Sequence, residues 1–521
     1  MNVTPFWLAG RPVTGDGELT VTHPYDGRVV GTAAVPTPAQ VEEAVAAADA
    51  VRREAAALPL HVRAEALAHV SARLAERAEE VARLITGENG KPLLWARGEV
   101  TRAVSTFRFA AEEARRIAAT TQRLDTDPAA EGRMAYITRV PKGPVLGISP
   151  FNFPLNLAAH KIAPAIAAGA PIVLKPAPAT PLSALLLGEL LAETDLPAGM
   201  FSVLPVPNDR ASALVDDPRL PIVSFTGSVP VGWAINDRAP RKHVTLELGG
   251  NGAAVVLPDA DLDWAAQRIG LFANYQAGQS CIAVQRVYVD RSVLDEFLPK
   301  LVDTVSSLVT GDPWDDKTQV GPLVDQAAAE RVEAWVDEAV AAGARVLTGG
   351  TREGAAYAPT VLADVPPDSK IAREEVFGPV MFVQPVDGAD EAFALVNDST
   401  FGLQAGVFTR SLDVAFRAHR ELDVGGVVIG DVPSYRADQM PYGGVKDSGV
   451  GREGLRSAIA DYTEEKVMIL TGLPLEPRPR GPARSRARGA PRTARCAGPR
   501  PPRTPPPGTA RRATTCSRTR G

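Results

Sequence analysis

The sequence predicts an α/β protein of several domains, and three observations carry that prediction. Its 521 residues are too many for one core, and at roughly 150 residues per domain the chain holds two to four. Short apolar runs alternate with longer stretches of helical periodicity, which is the pattern of βαβ units and a parallel sheet. The composition, 45% apolar and 22% charged, is that of a globular chain able to bury a large core without disulfides or metals.

The elements follow in order. Residues 38–57 and 61–87 are rich in Ala, Glu and Arg with a helical repeat, and Gly87-Glu88-Asn89-Gly90 closes the second stretch. A third helix is predicted over 93–117. After Arg133 the texture changes, and 135–140 and 144–148 read as strands punctuated by Pro141, Gly143 and Gly147. Further strands are predicted at 171–175, 200–206, 222–226 and 244–248. Helices at 181–194 and from about Val229 fall between them. A second α/β lobe repeats the alternation: strand 253–257, helix 261–276, strand 286–289, helices 292–309 and 326–342, strand 345–347. No short-period repeat is present. Beyond about Leu475 the chain is Pro, Arg, Ala, Gly and Thr with few large apolar residues. Such a segment cannot offset its ordering entropy, so 474–521 is predicted to be a disordered Arg/Pro-rich tail.

Charge and hydropathy exclude several classes. The net charge of -5 conceals an acidic body, because the tail after Glu476 contains many Arg and no acidic residue. An acidic body argues against nucleic acid, which needs a basic face. Apolar runs such as 163–174 are broken by Pro and Gly and are too short to span a bilayer. The first residues lack a basic region followed by a long apolar one, so no secretory signal is read and a cytoplasmic location is expected, without a membrane partner.

Cysteine use is sparse. Of Cys281, Cys496 and Cys516, only Cys281 lies in the body. One thiol can form neither an internal disulfide nor a multi-cysteine metal site, so no metal is expected. A lone cysteine is either a small core hydrophobe or a nucleophile.

Four segments carry the candidate chemistry: Ser149-Pro150-Phe151-Asn152-Phe153-Pro154, Glu247-Leu248-Gly249-Gly250-Asn251, Gly278-Gln279-Ser280-Cys281 and Glu374-Glu375-Val376-Phe377-Gly378-Pro379. Each alone is weak. Taken together, in this order, they resemble the aldehyde dehydrogenase superfamily over residues 6–473. Lys175-Pro176, Phe225-Thr226-Gly227-Ser228 and Pro441-Tyr442-Gly443-Gly444-Val445-Lys446 reinforce the match, as does the run Ser448-Gly449-Val450-Gly451-Arg452-Glu453.

The resemblance implies a Rossmann-type cofactor domain over 1–117 and 137–249, a second α/β catalytic domain over 250–458, and a small oligomerisation β-element over 118–136 and 459–473. The hairpin and the C-terminal strand of that element are expected to pair across subunits of a homodimer or homotetramer.

The implied reaction is NAD(P)-dependent oxidation of an aldehyde to the acid. Cys281 is the implied nucleophile. A free thiol near pKa ~8.5 would need only modest activation to attack the carbonyl. The Asn152 amide and the Cys281 backbone N–H are the implied oxyanion donors. Glu247 is the implied general base that hydrolyses the thioester. Relatives that pass the acyl group to coenzyme A lack that Glu, which sets a coenzyme A-acylating semialdehyde dehydrogenase, and a non-catalytic structural relative, behind the hydrolytic reading.

No GxGxxG follows a strand here. The resemblance instead assigns the cofactor to Lys175, to Phe225, Thr226, Gly227 and Ser228 before a helix N-terminus, to Gly249, to Glu375 on the nicotinamide ribose, and to Phe377 beside the nicotinamide. Pro178 stands where NAD-preferring relatives often carry a Glu; no Arg or Lys replaces it, and NAD is favoured with NADP tolerated. In the substrate tunnel, Arg102 and His160 point to a short polar or anionic aldehyde, such as a hydroxyaldehyde or semialdehyde. Arg286, five residues past the cysteine, reads as structural.

Overall fold

Thr37 starts the first helix as its residue type predicts. Its hydroxyl accepts the Gln40 N–H, the Gln40 side chain accepts the Thr37 N–H, and Pro38 takes the first helical position of Pro38–Ala57. The computed structural model describes residues 3–472. The tail at 474–521 lies outside the described residues.

The stretch 61–87 forms two helices rather than one, Leu60–Glu76 and Ala78–Asn89. Arg77 breaks them at φ -100° and ψ 19°, with its guanidinium held by Glu80 and by the distant Glu189, so tertiary contact overrides the periodic pattern. Gly90 ends the second helix in the left-handed region (φ 73°). The third helix, Leu93–Ala114, stops three residues before the predicted end.

The first sheet has eight strands. Five are parallel and lie in the order His243–Glu247, Ile222–Thr226, Val145–Ile148, Ile172–Lys175, Phe201–Val203. The strand Phe6–Leu8 extends one edge antiparallel and Gly449–Val450 the other. The N-terminal strands Val29–Val35 and Gly17–Thr22 pair antiparallel and are not among the predicted elements. Packed against this sheet is Asn156–Ala168, a helix with every residue buried. A helix apolar nearly all round belongs in a core, so its polar members need partners there.

The second sheet has seven strands drawn from residues 252–429, six of them parallel, around Gly252–Val256, Val284–Asp290 and Val380–Val386. Arg286 sits in it as a structural residue: its guanidinium donates to the carbonyls of Asn251 and Leu395. A third sheet joins Thr120–Arg123, Arg133–Pro141 and Thr463–Thr471 within the chain. Its middle strand continues to Pro141, past residue 136, and the helix Leu455–Tyr462 packs into the core of the first lobe. Among the described residues no helix is long and apolar enough to cross a membrane.

Candidate active site

Lys175, Thr226 and Glu247 each end a parallel strand, and Thr226 is in register with Glu247. Val145–Ile148 lies between the strands that follow it next and later in the chain, so the winding of the sheet reverses there. Ligands of open α/β sheets bind outside the carboxyl ends at such a reversal. A cleft of about 900 Å³ opens at this place; it runs from Lys175, Phe225, Thr226, Gly227 and Ser228 to Asn152, Glu247 and Cys281. Gly249, Glu375 and Phe377 line it too.

The Asn152 loop is held from below. Glu99 accepts the backbone N–H groups of Leu155 and Asn156, both at 3.0 Å, and so caps the buried helix. The same carboxylate pairs with Lys91, both side chains being fully buried, and Lys91 donates to the Asn152 carbonyl at 2.9 Å. The Asn152 amide donates one N–H to the Gln279 carbonyl at 2.9 Å, tying this loop to the one that carries Cys281.

That second loop follows the helix Leu262–Asn274, which stops two residues before the predicted 276. Gln276, Ala277 and Gly278 adopt φ of 54°, 53° and 71° in succession. For residues other than Gly this conformation costs about 1–3 kcal/mol each and persists only where surroundings enforce it. Here a Cβ on Gly278 would lie 2.0 Å from the Gly378 carbonyl, so the Cys281 loop closes directly onto the Phe377 loop. Phe377 is itself left-handed (φ 47°), with its ring edge-on to Phe151 at 5.9 Å. Likewise a Cβ on Gly250 would lie 2.2 Å from the Cys281 carbonyl.

The Cys281 sulfur lies 3.1 Å from the Tyr442 hydroxyl. Burial pushes the thiol up to about 12, against the Tyr442 hydrogen bond, which lowers it. Loss of solvent around the sulfur thus works against the thiolate, and the Tyr442 contact works for it. Glu247 is 3% exposed, and neither of its carboxylate oxygens has a hydrogen-bond partner among the described residues. Burial, with the Glu453 charge added, raises its carboxyl well above the ordinary range. Glu375 accepts the Gly250 N–H at 3.0 Å, and burial raises it to about 7.

At the other end of the cleft Lys175 is buried. Its ammonium donates to the Asn208 side-chain oxygen at 2.8 Å and to the Pro176 carbonyl; no carboxylate pairs with it among the described residues. Desolvation pulls it down to about 8. The helix Val229–Arg238 begins after Ser228, whose side chain does not cap it, and its first turn lines the cleft with Pro230 and Val231.

Arg102 and His160 meet at a residue that sequence reasoning missed. Asp438 Oδ1 accepts from Arg102 at 2.8 Å, from Asn156 at 3.2 Å and pairs with His160 at 3.0 Å. Burial alone would raise the Asp438 carboxyl, but the His160 hydrogen bond and the Arg102 charge hold it below the usual range. Two residues along, Arg436 is also buried. It donates to Glu453 at 3.0 Å and stacks 3.8 Å over the Tyr442 ring; among the described residues its Nε has no partner, and neither has that of Arg102. Glu453 is shared with Lys161 at 3.2 Å. Three cations, Arg102, Arg436 and Lys161, thus face two carboxylates, and of the three Arg436 brings its charge to bear on Cys281. The signal for Arg436 and Asp438 was an isolated Arg and Asp just before the Pro441-Tyr442-Gly443-Gly444 motif; only their burial marks them out.

Comparison with known proteins agrees with this geometry. The model of the aldehyde dehydrogenase family matches residues 12–468. The 3-sulfolactaldehyde dehydrogenase of Priestia aryabhattai is 43% identical over 470 residues, 88% of this chain and 98% of the relative. Aldehyde dehydrogenase 21 of Physcomitrella patens, solved with its reaction product succinate, superposes with a TM-score of 0.89 at 43% identity, covering 90% of this chain and 99% of that one. The NADP-dependent glyceraldehyde-3-phosphate dehydrogenase of Bacillus halodurans C-125, solved with NADP, gives a TM-score of 0.87 at 34% identity over 90% of this chain and 100% of that one. The chain belongs to the aldehyde dehydrogenase family, NAD(P)-dependent oxidoreductases that convert an aldehyde to its acid.

Proposed function

We propose that this chain oxidises a short anionic aldehyde, with Cys281 as nucleophile, Asn152 as oxyanion donor and Glu247 as the base for hydrolysis. One observation carries the reading: the Cys281 sulfur, the Asn152 amide and the unpartnered Glu247 carboxylate open into one cleft. The thiolate adds to the carbonyl carbon, and the second N–H of the Asn152 amide, with the Cys281 backbone N–H, receives the oxyanion. Bound NAD(P) supplies the hydride acceptor. Loss of hydride leaves a thioester on Cys281. Glu247 in its ionised form then takes a proton from the attacking water, and the acid departs as the thiolate returns.

The cofactor's holders would be Lys175 and the Phe225–Ser228 turn at the adenosine and pyrophosphate end, with Gly249, Glu375 and Phe377 at the nicotinamide end. The buried Lys175 ammonium has no carboxylate partner among the described residues, and Pro178 offers none to oppose a second anion. These features support NADP, in place of the NAD favoured from the sequence, because a 2′-phosphate would supply the missing counter-charge.

The substrate class rests on charge. Arg102, Arg436 and Lys161 exceed their two carboxylates by one positive charge, while Glu247 is held toward its neutral form. A sulfonate, like that of the Priestia relative's substrate, or a carboxylate, as in the succinate of the Physcomitrella enzyme, would balance it. The three-stranded arm, with Val467, Met468 and Ile469 half-exposed, supports a homodimer or homotetramer. A panel of sulfonated, carboxylated, hydroxylated and apolar aldehydes with NAD and NADP tests these readings. Anionic aldehydes are expected to give the highest kcat/KM. A preference for hexanal removes the charge argument, and full activity in Cys281→Ala removes the mechanism.

A further inference from the structure

We propose that the Tyr442 hydroxyl donates a hydrogen bond to the Cys281 sulfur and stabilises its thiolate, a role that rests on Cys281 being the nucleophile. The contact is 3.1 Å, and Tyr442 is the hydrogen-bond partner of this sulfur among the described residues. Ile282 and Leu403 pack against the thiol as well and offer it no donor from their side chains. Tyr442 is firmly placed: its backbone exchanges two hydrogen bonds with Glu453, at 3.0 and 2.7 Å. Arg436 lies 3.8 Å over the Tyr442 ring and is fixed in turn by Glu453. A cation over the ring makes the phenol a stronger donor.

The charges facing the sulfur explain why such a donor is needed. Burial, Glu375 and Glu247 all disfavour the thiolate, while the Tyr442 contact and the Arg436 charge favour it. A Phe at 442 would keep the ring, its packing and its stacking on Arg436, and would leave the sulfur without a direct donor. No proton transfer is involved: the thiol proton leaves for solvent or a base, and the phenol keeps its own.

The test is the rate of alkylation of the full chain by iodoacetamide, in which the Sγ–C bond forms as iodide departs. Cys281→Ser supplies the background from Cys496 and Cys516. One hydrogen bond to a charged group corresponds to about 1–2 pKa units, so Tyr442→Phe is expected to lower the thiolate fraction about 10- to 100-fold at about pH 8. The more basic thiolate is intrinsically more reactive and recovers roughly half of that loss on a logarithmic scale, for a net slowing of about 3- to 10-fold. Fluorotyrosine at 442, a stronger donor, is expected to speed alkylation. An unchanged rate in Tyr442→Phe overturns the proposal. Equal slowing by Phe and fluorotyrosine also overturns it, because that pattern belongs to packing. Turnover by Cys281→Ala separately reports whether Cys281 is the nucleophile, and leaves the alkylation comparison readable.

Discussion

Removing the Glu99 charge should destabilise the fold and disturb the site together. Lys91 and Glu99 are both fully buried, and Glu99 also accepts two backbone N–H groups at 3.0 Å. Glu99→Gln keeps an oxygen that can still accept one of them, but it leaves the Lys91 ammonium buried without a counter-charge. Breaking a buried pair from one side costs about 3–5 kcal/mol. Burial already pulls the Lys91 pKa down. In the variant it should fall further, so the folded state binds fewer protons than the unfolded one. Stability of the variant relative to wild type should then rise with pH between the folded Lys91 value of the variant and the higher folded value of wild type, and level off above it. Replacing both partners by Met and Leu should recover most of the loss, since an apolar pair of similar volume is near neutral. Equilibrium urea unfolding, followed by tryptophan fluorescence, reads all three proteins. Because Lys91 also holds the Asn152 carbonyl, kcat should fall in the single variant. A Glu99→Gln protein within about 1 kcal/mol of wild type, with no pH recovery, refutes the reasoning.

Three further outcomes are expected. Asn152→Ala should lower kcat by about 10²–10³, the usual effect of losing one oxyanion donor, with little change in cofactor affinity by fluorescence titration. Glu247→Gln should keep a burst of about one reduced cofactor per site in stopped flow while steady-state turnover falls about 10²–10⁴-fold. In wild type, hydrolysis-limited turnover should rise with pH through the raised Glu247 value, because only the ionised form is a base, and the Gln variant should lose that rise. Pro178→Glu would supply the carboxylate that Lys175 lacks; isothermal titration should show weaker NADP binding and stronger NAD binding, and an unchanged ratio argues against Lys175 as the 2′-phosphate partner.

Local signals in the sequence determined much of this protein. Alternating short apolar runs and helical stretches specify parallel sheets, because each pattern has its own period and buries only one way. The motif residues Asn152, Glu247, Cys281 and Glu375 were legible because their spacing and company are distinctive. Tertiary structure decided what depends on distance and dielectric. It broke the stretch at 61–87 through an Arg77–Glu189 contact that no local rule contains. It joined Arg102 and His160 through Asp438, hundreds of residues away in the chain. It also put Tyr442 and Arg436 beside the sulfur. The thiol's surroundings belong here too: composition treats it as a free cysteine, whereas in the fold burial pushes its pKa up and the Tyr442 contact opposes that shift. Ionisation is set by the solvent a group has lost and the charges it faces, and only the folded chain specifies those.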